Sequence, residues 1–130
     1  FSLLYLDLDG FKKINDIYGH GTGDAMLVLI AQRLKRAIRE TDTVYRVGGD
    51  EFAMVMRGTN TSETVAQVAE NLLLKIAEPM KFGKHTHKVS ASIGIACYPD
   101  SALDAEALIR LADEAMYRAK ARGKNCFEMT

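Results

Sequence analysis

The sequence predicts an α/β (α+β) fold, a mixed central sheet flanked by helices. Three observations predict it. Short apolar, strand-like runs alternate with segments whose apolar residues recur at helical spacing. Two of the strand-like runs are separated by a tight glycine-acid turn, which adds an antiparallel hairpin to that alternation. The chain has 130 residues, 48% of them hydrophobic and 26% charged, which fits one domain with a core of its own.

The elements follow in order. Residues 3–8 are apolar on both faces until Asp7, Asp9 and Gly10 appear, as in a buried strand. Phe11, Ile14, Ile17 and Tyr18 form the stripe of a first helix over 11–18, and Gly19, Gly21 and Gly23 mark a break. A second helix is predicted from Asp24 to about Glu40, with Met26, Leu27, Ile30, Leu34, Ala37 and Ile38 on its inner face. Residues 44–47 and 52–56 are strands around Gly48-Gly49-Asp50-Glu51. Thr61 or Ser62 caps a third helix that carries Val65, Val68, Ala69, Leu72, Leu73 and Ile76 inward and stops before Pro79.

In residues 89–97, Val89, Ala91, Ile93, Ile95 and Cys97 alternate with the small Ser90, Ser92, Gly94 and Ala96. That pattern predicts a central strand with something packed closely on one side. Leu108, Leu111, Ala112, Ala115, Met116 and Ala119 form the last helical stripe, which ends near Gly123, and residues 125–129 can add a final strand. The predicted order is β-α-α-β-β-α-β-α-β, one domain over residues 1–130.

Composition removes several classes. Seventeen Lys and Arg balance seventeen Asp and Glu, so no basic face for nucleic acid is expected. No apolar run approaches the roughly 20 residues that span a bilayer, and no direct membrane contact is expected. Phe1-Ser2-Leu3-Leu4-Tyr5 is followed at once by acids and does not read as a signal peptide. Cys97 and Cys126 stand far apart, which argues against a disulfide framework and for a reducing cytoplasm. The chain opens at Phe1, inside a strand-like run, as an excised domain would.

The chemistry concentrates in acids. Asp7 and Asp9 are two apart at the end of an apolar strand and project to one side. Asp50 and Glu51 sit at the hairpin tip. If the first strand and the hairpin are sheet neighbours, three or four carboxylates converge. They then repel one another unless a positive charge lies between them. Mg²⁺ suits such a site, as a hard cation held by carboxylates and substrate phosphates. Two such ions can clamp the attacking and leaving oxygens of a phosphoryl transfer. Paired glycines would let a phosphate chain approach the backbone. The alternative reading of the pentad is a solvated acidic turn.

At these residues the sequence resembles the GGDEF domain, the catalytic domain of bacterial diguanylate cyclases. Gly48-Gly49-Asp50-Glu51-Phe52 spells its signature. Residues 6–12, 14–20, Gly23-Asp24, Arg46-Val47, residues 92–96 and residues 112–120 look like further family blocks in family order, so the likeness covers essentially the whole chain. The resemblance implies a five-stranded mixed sheet similar to the palm of nucleotide cyclases. It also implies condensation of two GTP into cyclic di-GMP and two pyrophosphates, across a pair of domains holding one GTP each. The family's usual N-terminal helical segment is missing from this stretch.

Carried over by resemblance, Asp7, the Leu8 carbonyl, Asp50 and Glu51 hold Mg²⁺ (or Mn²⁺), and Asp50 accepts the hydroxyl proton. Asn15 and Asp24 read the guanine edge, with His20 in the same pocket. Phe11 and Lys12 face the phosphates, and Lys120 and Lys124 hold the terminal ones. Arg39 and Asp42 match the RxxD site at which the product inhibits. Asp9 stays outside the site, as a strand end or as a cap for the helix at Phe11. The resemblance also implies a second GGDEF domain as partner, a fused sensory or phosphodiesterase domain, and a cytoplasmic place, free or attached to a membrane-anchored protein.

The competing function is a catalytically silent module that binds GTP or cyclic di-GMP. Retention of Asp7, Asp50 and Glu51 favours the enzyme. His85 and His87 lack companions for a metal set and are expected in a loop or strand edge. No P-loop pattern is present.

Overall fold

A computed structural model describes residues 1–58 and 61–130. The elements are β1 (Ser2–Asp9), α1 (Phe11–Tyr18), α2 (His20–Ala37), β2 (Thr43–Gly48), β3 (Glu51–Met56), α3 (Ser62–Ile76), β4 (Met80–Phe82), β5 (His85–His87), β6 (Ser90–Cys97), α4 (Ala105–Ala121) and β7 (Cys126–Met129). The main sheet is five-stranded in the order β2-β3-β1-β6-β7. Only the β6–β7 pair is parallel, so the sheet is mixed as expected.

β1 lies at the centre because its apolar residues can be buried on both faces. Leu4, Leu6 and Leu8 join Phe52, Met54, Ile93 and Ile95 beneath α2 and α3. Leu3, with Ala53 and Ala96, packs under Leu108 and Ala112 of α4. Strand alternation therefore sends Leu6 and Leu8 into the larger core, and Asp7 and Asp9 to the face that α4 covers. Ser92 and Gly94 keep that face of β6 low. A Cβ on Gly94 would overlap the Ala112 carbonyl oxygen and the Met116 nitrogen of α4, so the expected close packing is a helix lying directly on the strand.

The structure corrects four expectations. α2 begins at His20, not Asp24, because Gly21 and Gly23 form its first turn rather than a break. Its first turn needs a residue without a side chain at Gly23, where a Cβ would overlap the Asn15 side-chain oxygen. α2 also ends earlier, at Ala37, since Ile38 is extended. A separate hairpin, β4–β5, pairs Met80 with His87 and was not expected, because each strand is only three residues long. His85 and His87 are thus in a strand, with the buried His87 edge-on to the Tyr18 ring at 4.5 Å. Finally, Asp9 caps nothing: Gly10 is the α1 N-cap and no side chain bonds there.

Candidate active site

The site forms where β1 ends beside the β2–β3 turn. Asp7 stands opposite Glu51 in the β1–β3 register. One residue on, the Leu8 N–H donates to the Asp50 carbonyl at 3.2 Å. The turn is braced by Arg46, whose Nε and Nη2 donate to the Gly49 carbonyl at 3.2 and 2.9 Å. Asp7, Asp50 and Glu51 are therefore held together by backbone pairing rather than by their own side chains, which would repel.

That repulsion is visible in their acidity. Burial and the Asp50 charge push Asp7 up to about 6, against the pull of Lys120. Burial, then Asp113, then Asp50 push Glu51 upward too. Asp7 Oδ1 is buried without a hydrogen-bond partner among the described residues. Buried polar atoms are rarely left so, unless a ligand or ion completes them. An unpartnered carboxylate oxygen near two further acids has the hard-oxygen chemistry that suits Mg²⁺, while among the described residues the three do not close into a ready-made metal cluster.

The only cation paired with Asp7 among the described residues is Lys120, which α4 brings over the sheet. Its Nζ lies 3.2 Å from Asp7 Oδ2 and 3.2 Å from Asp9 Oδ1. Lys120, expected to hold phosphate, is in this structure the counter-ion of the first-strand acids. Lys124 follows in the turn after α4, at φ 66°.

A cleft of about 320 Å³ opens beside the turn, and Phe11, Lys12, Asn15, His20, Asp24 and Asp50 all line it. α1 and the N-terminal part of α2 supply five of these six, which is why the glycine-rich junction matters. Arg46 and Gly49 also line this cleft, a place for Arg46 that the sequence does not announce. An arginine on an exposed strand carries no signal until the strand is placed beside α2. Asp113, whose charge acts on both Glu51 and Tyr5, was missed for the same reason.

Arg39 and Asp42 lie at the far end of β2, about 20 Å of strand from the turn. They form a bidentate pair, Nε to Oδ2 and Nη2 to Oδ1, both 3.1 Å. The Arg57 N–H also donates to Asp42 Oδ1 at 3.3 Å. The Asp42 side chain is 2% exposed and the Arg39 side chain 52%. Asp42 is thus committed to the α2–β2 junction, and Arg39 presents the accessible surface.

Burial opposes the charged form of Asp42, but the Arg39 and Arg57 hydrogen bonds outweigh it and hold the carboxyl below its ordinary value. A depressed native pKa contributes stability above the unfolded value, roughly 3.9, which is lost as pH falls through the lower native one. Asp42→Ala is expected to cost about 2 kcal/mol at pH 7. In urea melts the gap from the unmodified chain should narrow from pH 5 to pH 2, and a gap independent of pH would contradict the ion pair.

Comparison with known proteins places these features in a family. A family model described as diguanylate cyclase, GGDEF domain, matches residues 1–126. The bifunctional diguanylate cyclase/cyclic di-GMP phosphodiesterase MucR of Pseudomonas aeruginosa is 43% identical over 129 residues, 98% of this chain and 19% of MucR. Diguanylate cyclase TpbB of the same species is 40% identical over 124 residues, 95% of this chain and 28% of TpbB. The chain thus spans less than a third of either relative.

Among solved structures, the GGDEF domain of YfiN (TpbB) from P. aeruginosa superposes with a TM-score of 0.96 at 38% identity, covering 99% of this chain and 81% of that one. The GGDEF domain of DgcB from Caulobacter crescentus, in complex with c-di-GMP, gives 0.88 at 28% identity, covering 98% and 76%.

Proposed function

The chain belongs to the GGDEF family of diguanylate cyclase domains, and from that premise we propose that it condenses two GTP molecules into cyclic di-GMP with release of two pyrophosphates. One observation carries the reading: the Leu8–Asp50 backbone hydrogen bond, with Asp7 opposite Glu51, sets the end of β1 against the turn whose Asp50 lines the cleft. The alternative, a module that only binds the nucleotide, has no lost acid to support it.

Asp7, the Leu8 carbonyl, Asp50 and Glu51 would hold Mg²⁺. When bound, the ion would neutralise phosphate charge and polarise the α-phosphate. The chain's own groups do the rest. Asp24 and Asn15 offer acceptors to the guanine N1–H and N2–H₂, and His20 closes that end of the cleft. Phe11 and Lys12 face the phosphates, and Lys120 and Lys124 take the terminal ones.

Asp50 accepts the proton of a 3′-hydroxyl as that oxygen attacks the α-phosphorus of the opposing GTP and pyrophosphate leaves. The second attack mirrors the first. Each domain holds one GTP, so two domains must meet face to face. A fused sensory or phosphodiesterase domain would control that encounter. Product would bind at Arg39, with Asp42 fixing the guanidinium toward phosphate and guanine acceptors.

The test is chromatographic. The protein at high concentration, with GTP and Mg²⁺, should yield cyclic di-GMP and pyrophosphate, and chelation should stop it. GTP binding without any dinucleotide would hand the site to the binding-module reading. Arg39→Ala should raise the product concentration that halves the rate by about tenfold. Unchanged inhibition would remove Arg39 from the product site.

A further inference from the structure

We propose that Asp9 is a positioning residue for the triphosphate, holding Lys120 and the turn that carries Lys124 where both cations can meet phosphate. The inference rests on the cleft being a GTP site.

Asp9 and Asp7 are neighbours on one face of β1, yet their surroundings divide the work between them. The Asp9 side chain is 6% exposed. Its Oδ1 accepts from Ser92 Oγ at 2.7 Å and Lys120 Nζ at 3.2 Å. Its Oδ2 accepts from Ser90 Oγ at 2.7 Å and the Asn125 N–H at 3.0 Å. A carboxylate offers about four lone-pair sites, and here four donors use them. Asp9 therefore has no capacity for a metal ion, whereas Asp7 keeps an oxygen without a partner among the described residues.

The asymmetry matters when nucleotide arrives. Lys120 is shared between the two acids at equal distance. An ion held at the free Asp7 oxygen would draw on the same carboxylate charge and so would weaken that half of the pair. Asp9 remains, and it keeps the ammonium anchored at the sheet end instead of released to solvent.

The second device is the turn. Lys124 and Asn125 both have positive φ, 66° and 49°, an uncommon conformation for residues other than glycine. The Asn125–Asp9 hydrogen bond, across 116 residues of sequence, ties that turn to β1. One buried carboxylate thus sets the position of both phosphate cations. The serines on β6 fix the carboxylate in turn, which gives a reason for two hydroxyls on a strand face that packs against a helix.

The experiment compares two ligands on the full chain with Mg²⁺: α,β-methylene-GTP, which carries the phosphates but cannot be cleaved at the reacting bond, and guanosine, which lacks them. Asp9→Asn should weaken the analogue about tenfold and guanosine less than about twofold. In a Lys120→Met background the further loss should shrink to about threefold or less. Ser90→Ala with Ser92→Ala, which frees Asp9 without altering any charge, should show the same selectivity and decides the matter if Asp9→Asn fails to fold.

Equal loss of both ligands would mean that Asp9 is merely structural, and no loss of the analogue would remove it altogether. If the unmodified chain binds neither ligand, the GTP reading itself fails and takes this proposal with it. Selective loss cannot be confused with that outcome.

Discussion

Asp50→Ala is expected to lower cyclic di-GMP synthesis by about a thousandfold or more, because under the proposed function it removes a metal ligand and the proton acceptor together. The fold should not suffer. Asp50 sits at a turn whose geometry is held by backbone, through Leu8 N–H and the Arg46–Gly49 contacts. Its charge also acts unfavourably on Asp7 and Glu51. The melting temperature should therefore stay level or rise while product disappears. Activity within tenfold of the unmodified domain, with the fold intact, would exclude Asp50 from the chemistry.

Gly94→Ala should have the largest effect on stability, a loss of about 3 kcal/mol. The atoms that a Cβ would strike are the Ala112 carbonyl oxygen and the Met116 nitrogen, both helix backbone, which cannot rotate aside as a side chain can. β6 is locked between β1 and β7, so α4 must lift from the sheet. Lifting α4 would also draw Lys120 away from Asp7 and Asp9, so nucleotide affinity should fall with stability. Urea unfolding measures the first and α,β-methylene-GTP binding the second. A loss below about 1 kcal/mol would show that α4 can ride higher on β6 at little cost.

How far the sequence could be read depended on whether a residue's surroundings were local. The central strand, the stripes of all four helices and the acidic hairpin were legible, because burial of a face imposes a period of 2 or 3.6 on the chain itself. The carboxylates and Asn15, His20 and Asp24, which the proposed function sets against guanine, stood out as family blocks, and the cleft gathers those three with Phe11, Lys12 and Asp50. β4 (Met-Lys-Phe) and β5 (His-Thr-His) were not legible, since three residues are too few to display a period. The start of α2 was misplaced because the glycines that look like a break are needed for its approach to Asn15. Arg46 went unassigned because its value lies in reaching back to Gly49 and across to α2.

The amino-acid sequence by itself determined the element order, the apolar faces and the stock of acids, glycines and lysines at the strand ends. Each of these follows from a residue and its near neighbours. Only the tertiary structure decided that Asp7 and Asp9, chemically identical and two residues apart, have different partners. One keeps an oxygen without a partner among the described residues, while the other is saturated by β6, α4 and the turn beyond it. Hydrogen-bond capacity is spent on partners as much as 116 residues away, and no local pattern records which partners the fold will bring.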